Sequence, residues 1–251
     1  MKLAFFLIFA LLAAALVWFK FHGFGTLNPG NGHEFDLKNI YALPEETPLH
    51  GKVIFCLGSS VTYGMASKKV SFVDYIAKRN GCTMIKAAIS ASTLADVGPI
   101  SYIKRLKRHP MTKKPIDCFL CQLSTNDATF MQRLGKISDS FEMEDFDTKT
   151  TIGGIEYIIA FAKKAWDCPI VFFTGTRYDN PRYHRMVNQL LELEEKWNIT
   201  VIDLWHNRKM NRISAEEYRL YMSDGVHPTQ AGYLNWWTPA IEDGLYRIFN
   251  S

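Results

Sequence analysis

From Gly51 onward, short apolar runs alternate with longer amphipathic ones, and that alternation restricts the fold more than any other feature of the chain. Residues 52–57, 83–88, 116–123, 169–174 and 200–203 are strand-length and rich in Ile, Val and Phe, which predicts buried strands. Residues 71–80, 151–166, 181–197 and 229–249 read as helices. The first is closed by Gly81, and the third carries Met186, Leu190, Leu191 and Leu193 at helical spacing. Strands each followed by a helix predict an α/β three-layer sandwich, with a central parallel sheet of about five strands between two helical layers. Ligands of such sheets bind beyond the carboxyl ends of the strands, so chemistry is sought in the polar residues that follow each strand.

The residues before this pattern are of two kinds. Leu3 to Phe19 is an unbroken apolar run between Lys2 and Lys20. As a helix it spans roughly 26 Å, just short of a ~30 Å hydrocarbon core, and lysines at both ends can snorkel to the headgroups. The competing reading is a cleaved signal peptide, but its small residues, Ala13, Ala14 and Ala15, lie inside the run. The expectation is an uncleaved transmembrane signal-anchor over residues 1–20, single-pass in the cell membrane, with the rest of the chain extracytoplasmic. Residues 21–50 hold the breakers Pro29, Gly30, Gly32, Pro44 and Pro48, and read as a juxtamembrane linker to a domain over 51–251.

Composition removes several classes of function. The 251 residues are 47% hydrophobic and 22% charged, so a disordered or fibrous chain is excluded. A net charge of +4 does not call for a nucleic-acid partner. The basic stretch Lys104, Arg105, Lys107, Arg108 with Lys113 and Lys114 reads as a solvated helix face and loop, without the interleaved aromatics of a base-stacking surface. Five cysteines are an odd number, and Cys118 and Cys121, three apart on a strand, point to opposite faces and do not share a metal. The histidines outside the motifs below form no ligand cluster, so no metal is expected.

Three segments concentrate polar chemistry. Gly58, Ser59 and Ser60 follow the first strand without the spacing of a phosphate-binding loop, leaving a serine on a tight turn. Ser124, Thr125, Asn126 and Asp127 follow the third strand, and taken alone Asn126 and Asp127 are turn or capping residues. Asp224 and His227 lie three apart before the last helix, so one turn can hold the carboxylate on the imidazole and leave the other ring nitrogen to accept a proton. Asp203 and His206 have the same spacing at the end of the fifth strand, and spacing alone does not choose between the pairs.

Taken together these segments resemble the SGNH hydrolases, also called the GDSL esterase/lipase family, over about residues 51–251. Ser60 falls on the family's nucleophile position, Ala91 (within 89–93) on its oxyanion glycine, Asn126 on its oxyanion asparagine, and Asp224 and His227 on its late Asp-x-x-His-Pro block. Three positions depart from the family pattern: Ser59 replaces an aspartate, and Ala91 and Ser124 each replace a glycine. That position would donate a backbone N–H, so alanine can substitute there unless the turn requires positive φ.

The resemblance implies a flavodoxin-like sheet and acyl transfer to Ser60, with His227 as base and Asp224 orienting it. The Ser60 and Ala91 N–H groups and the Asn126 amide would hold the oxyanion, with no metal or organic cofactor. A short acyl ester, acetyl in the family analogy, on a carbohydrate or cell-envelope glycan is the expected substrate. A lipid or lysophospholipid ester and a non-catalytic glycan-binding protein of the same fold are the alternatives. Residues 141–147 read either as a loop over the site or as plain surface, and Trp236 and Trp237 as core.

Overall fold

The computed structural model describes residues 28–250. Five strands, β1 (Val53–Gly58), β2 (Thr83–Ala88), β3 (Cys118–Gln122), β4 (Ile170–Phe173) and β5 (Thr200–Ile202), form one parallel sheet in the order β2-β1-β3-β4-β5. The helices are α1 (Ser60–Tyr63), α2 (Phe72–Asn80), α3 (Tyr102–Arg108), α4 (Thr125–Thr129), α5 (Thr151–Ala165), α6 (Pro181–Trp197), α7 (Ala215–Tyr221), α8 (Gln230–Gly232) and α9 (Thr238–Phe249). The expected central parallel sheet with helices on both faces is the fold observed.

Alternate strand residues feed two separate cores, because successive side chains on a strand point to opposite faces. Phe55, Leu57, Phe119, Cys121 and Phe172 pack with α3, α5 and α6. Ile54, Cys56, Cys118, Leu120, Val171 and Phe173 pack with α2, α9 and the aromatics Tyr233 and Trp237. Cys118 and Cys121 are thus on opposite faces, each buried, and the five cysteines are free thiols. A one-residue slip of β1 would exchange these two sets, and each Leu, Ile or Phe side chain taken out of a core costs about 1.5–3 kcal/mol. The register is therefore fixed by side-chain burial.

Local chemistry accounts for the ends and breaks of the helices. Ser71 and Asp74 form a capping box at the start of α2, and Gly81 (φ 64°) closes it in the left-handed region. The single helix expected over 229–249 is instead α8, a π-helical turn (Tyr233–Trp237) and α9. Pro239 has no N–H to donate one turn back and its ring crowds that carbonyl, so the wider turn is accommodated just before it, with the Thr238 N–H reaching Tyr233 O. Helix α7 was not anticipated, although Ser214 and Glu217 form a capping box that is visible as Ser-x-x-Glu.

The apolar run at 3–19, expected as a membrane anchor, lies outside the described residues. Among the described helices none is long and apolar enough to cross a membrane. Residues 28–50, expected as a linker, form three short 3₁₀ turns that lie against the domain. Leu49 is fully buried, Tyr75 Oη donates to Phe35 O at 2.6 Å, and Leu43 N donates to Arg79 O at 2.8 Å. The breakers in this stretch set turns, and two of its backbone polar groups, Phe35 O and Leu43 N, find partners on α2.

Candidate active site

Strand order reverses between β1 and β3, since the chain moves outward from β1 to β2 and then crosses back to run β3-β4-β5 on the other side. The carboxyl ends of β1 and β3 frame the crevice that such a reversal creates. Gly58 ends β1 where a side chain has no room: a Cβ there would meet Thr62 Oγ1 at 1.9 Å. Ser59 caps α1, and Ser60 is its first residue, 3% exposed.

Ser60 Oγ lies 2.8 Å from His227 Nε2. His227 Nδ1 lies 2.8 Å from Asp224 Oδ2 and 3.0 Å from Oδ1. A carboxylate can only accept, so Nδ1 carries the proton and Nε2 is left to accept from the serine hydroxyl. Asp224 Oδ1 also accepts the N–H groups of Val226 (2.7 Å) and His227 (2.8 Å), which makes the loop its own scaffold. Partial burial works to raise the Asp224 carboxyl, but the His227 hydrogen bond and charge and the two N–H groups outweigh it and hold it at about 2. It is ionised throughout the neutral range.

The other pair is built the same way. His206 Nδ1 lies 2.7 Å from Asp203 Oδ2, and Asp203 Oδ1 accepts from His206 N and Thr174 Oγ1. Its ring sits edge-on to His184, with centroids 5.7 Å apart, beside an open cavity of about 620 Å³. No hydroxyl is hydrogen-bonded to His206 Nε2 among the described residues. The structure therefore brings Asp224 and His227, and not Asp203 and His206, to a serine.

Ala91 and Asn126 complete the rim. Among the described residues no acceptor takes the backbone N–H of Ser60 or Ala91. Ala91 has φ 63°, so the turn does require the left-handed region, and alanine occupies a position for which glycine is the unstrained residue. The Asn126 amide donates to Ser92 O at 2.9 Å, and Ser124 Oγ, which also caps α4, donates to the same oxygen at 3.1 Å. Ser124 thus takes up a role that a glycine has no atoms to perform. One Asn126 N–H remains after the Ser92 bond.

Three further side chains hold these loops, and sequence reasoning passed over all of them. Gln122 Oε1 accepts from Ser59 N (2.9 Å), Thr62 N (3.2 Å) and Thr62 Oγ1 (2.7 Å), while its Nε2 donates to Ser59 Oγ at 3.0 Å. That exchange explains why a buried serine is satisfied at 59. Arg105, expected on a solvated face, turns inward: its guanidinium donates to Ala87 O, Gly58 O and Ser92 Oγ at 2.7–3.0 Å. The carboxylate of Asp127 accepts from Leu94 N (2.8 Å), Ala95 N (2.9 Å) and Thr151 Oγ1 (3.2 Å), tying the loop after β2 to α4. Burial raises its carboxyl to about 6 despite those donors. In sequence Gln122 reads as a strand end, Arg105 as surface and Asp127 as a turn, and only its place beside Asn126 marked the last.

Other expectations resolve against these contacts. Phe141 and Phe146 pack on Trp197 at the carboxyl end of α6, and Lys196 donates to Ser138 O and Ser140 O, so residues 141–147 belong to that flank of the domain. Trp236 and Trp237 are buried in the core, as expected. Among the described residues no three His, Cys, Asp or Glu side chains are grouped to hold a metal ion.

A family model for the GDSL-like lipase/acylhydrolase family matches residues 56–234, from within β1 past His227 to the π turn. The chain belongs to that family. It is a GDSL-like hydrolase. No curated protein matches it by sequence. Solved structures show the same fold at low identity. A Lactobacillus plantarum protein is 19% identical with a TM-score of 0.63, covering 80% of this chain and 97% of its own. An inhibitor-bound M. smegmatis aryl esterase is 15% identical with a TM-score of 0.56, covering 79% and 100%. A family two carbohydrate esterase from Clostridium thermocellum, in complex with cellohexaose, is 16% identical with a TM-score of 0.52, covering 81% and 67%.

Proposed function

We propose that this GDSL-like hydrolase cleaves carboxylic esters with Ser60 as nucleophile, His227 as general base and Asp224 as the group that fixes and stabilises the imidazolium. The reading is carried by the unbroken line from Ser60 Oγ through His227 to Asp224, with both links 2.8 Å long. As Ser60 Oγ attacks the ester carbonyl, its proton passes to His227 Nε2. The carbonyl oxygen becomes an oxyanion, held by the Ser60 and Ala91 N–H groups and the remaining Asn126 N–H. Collapse expels the alcohol, which takes the proton from His227. Water, deprotonated by the same ring, then releases the acid and restores Ser60. No step calls for a metal or an organic cofactor.

The acyl group in this reading is short, acetyl in size. That size follows the family resemblance. The alcohol is carbohydrate or cell-envelope glycan, with the apolar run at 3–19 anchoring the enzyme in the cell membrane and the domain outside. A lipid or lysophospholipid ester is the second reading, favoured by the exposed Phe130 and Met131 just past α4.

Fluorophosphonate treatment of the full chain, with mass spectrometry of the adduct, tests the mechanism. The expected product is a single adduct on Ser60 that disappears in His227→Ala; folded protein that does not label would overturn it. A p-nitrophenyl ester series from acetate to decanoate then tests the acyl group, with kcat/KM falling beyond butyrate. A rise toward decanoate would select the lipid ester.

A further inference from the structure

We infer that Asn31 is a positioning residue of the hydrolytic site, a buried amide clasp that sets how the Ser60 turn faces the His227 loop. The inference rests on the Ser60–His227 reading above. Asn31 is 3% exposed. Its Nδ2 donates to Ala66 O at 2.8 Å, and its Oδ1 accepts from Gln230 N at 2.8 Å. One planar amide therefore joins the loop that follows α1 to the start of α8, two segments that are far apart in sequence.

Each end of the clasp is coupled to a reacting side chain. Ala66 sits in a turn whose Gly64 and Met65 N–H groups both donate to Ser60 O at 3.0 Å. The same loop holds Lys68 and Lys69 at φ 55° and 66°, conformations that a non-glycine residue keeps only where surrounding contacts enforce them. Gln230 lies three residues after His227. The stretch between is pinned by Ser223 N to His227 O and Thr229 N to Tyr221 O, both 2.9 Å. Besides the Ser60–His227 bond itself, Tyr233 Oη to Val61 O at 2.5 Å makes a second tie between the two regions, deeper in the core. Asn31 supplies a tie outside that core.

The seat of Asn31 is specific. Asn28 Oδ1 accepts from Gly30 N at 2.9 Å and shapes the turn, and a Cβ on Gly30 would meet Leu220 O at 1.9 Å and Thr229 Oγ1 at 2.4 Å. The backbone is thus pressed against the histidine loop, and the residue after it carries the amide. An amide is required because one end must donate and the other accept; aspartate sets an oxygen against Ala66 O, and alanine leaves two buried backbone groups unpaired. The stretch whose composition reads as a linker is, at this position, part of the frame of the active site.

The test is p-nitrophenyl acetate hydrolysis by the full chain. Asn31→Ala is expected to lower kcat on the order of 10–10²-fold, the effect of displacing a reacting pair by about an ångström, with KM changed less than about threefold. Asn31→Asp, which keeps the acceptor for Gln230 N but sets an oxygen against Ala66 O, is expected to lower kcat as well, and it carries the judgement if Asn31→Ala does not fold. A general structural defect is separated by a cycle with His227→Ala: without the base there is no pair to position, so adding Asn31→Ala should change the residual rate by less than about twofold. An unchanged kcat in folded Asn31→Ala and Asn31→Asp, or the same loss with and without His227, would overturn the clasp. Undiminished turnover in Ser60→Ala or His227→Ala would instead remove the triad reading on which the clasp depends.

Discussion

Asp203/His206 and Asp224/His227 share one sequence pattern, and each closes the same ring, with the carboxylate on Nδ1 and on the backbone N–H of its own histidine. Their surroundings differ. His227 faces the first turn of α1, where Ser60 Oγ is within 2.8 Å, whereas His206 faces an open cavity and the edge of His184. A carboxylate–imidazole pair is thus a local product of three-residue spacing, and it becomes part of an acyl-transfer site only when another segment delivers a hydroxyl. The delivery depends on sheet order. β1 is an interior strand and ends in the Ser60 turn, while the loop after α7 folds back over the crevice beside it; His206 sits just past β5, an edge strand.

The comparison is broken most directly by exchanging the histidines for alanine. His227→Ala should lower kcat by about 10⁴–10⁶-fold on any accepted ester, and His206→Ala should leave it within about twofold; similar losses in both would mean that the second pair takes part. Next in size is the carboxylate. Asp224→Asn should cost on the order of 10⁴-fold, because the amide stabilises the wrong tautomer of His227, while Asp203→Asn should leave turnover unchanged. Steady-state kinetics on p-nitrophenyl acetate reads both.

Asn126→Ala should slow acylation by about 10²–10³-fold, seen as slower fluorophosphonate labelling of Ser60, since one oxyanion donor is lost. Unchanged labelling would remove Asn126 from that role. The smallest expected effect is a gain: Ala91→Gly relieves a left-handed alanine and should raise the thermal midpoint by a few degrees, equivalent to about 1 kcal/mol. A lower midpoint would show that the φ of 63° is not strained in this turn.

Asp224 and Asp127 predict opposite dependences of stability on pH. Asp224 is held at about 2 in the folded protein, below its ordinary 3.8, so its contribution is present above about pH 4 and is lost as pH falls through about 2. Asp127 is raised to about 6, so the folded state binds its proton more tightly than the unfolded chain. Stability on its account is greatest below about pH 4 and declines as pH rises toward 6. Urea unfolding between pH 4 and 7 should show that decline in the native chain and lose it in Asp127→Asn.

Much of this molecule is determined locally, and that part was legible in the sequence. Strand burial shows as apolar runs, helix ends show as Ser71, Gly81 and Pro181, and the ring between Asp224 and His227 needs only a turn. The blocks around Ser60, Asn126 and His227 are ambiguous one at a time, and it was the resemblance to the family, through their order and separation, that singled them out. What the tertiary structure alone decided is which segments meet. Gln122, Arg105 and Asp127 look like a strand end, a surface cation and a turn residue, yet each becomes a brace because a distant backbone segment ends within 3 Å of it. Residues 28–31 look like a tether and are seated against the histidine loop. Composition and spacing encode the periodicity of buried side chains and the torsions of a single turn. A hydrogen bond between residues tens of positions apart is a property of chain crossing, and it leaves no pattern in a local window for a reader of the sequence to find.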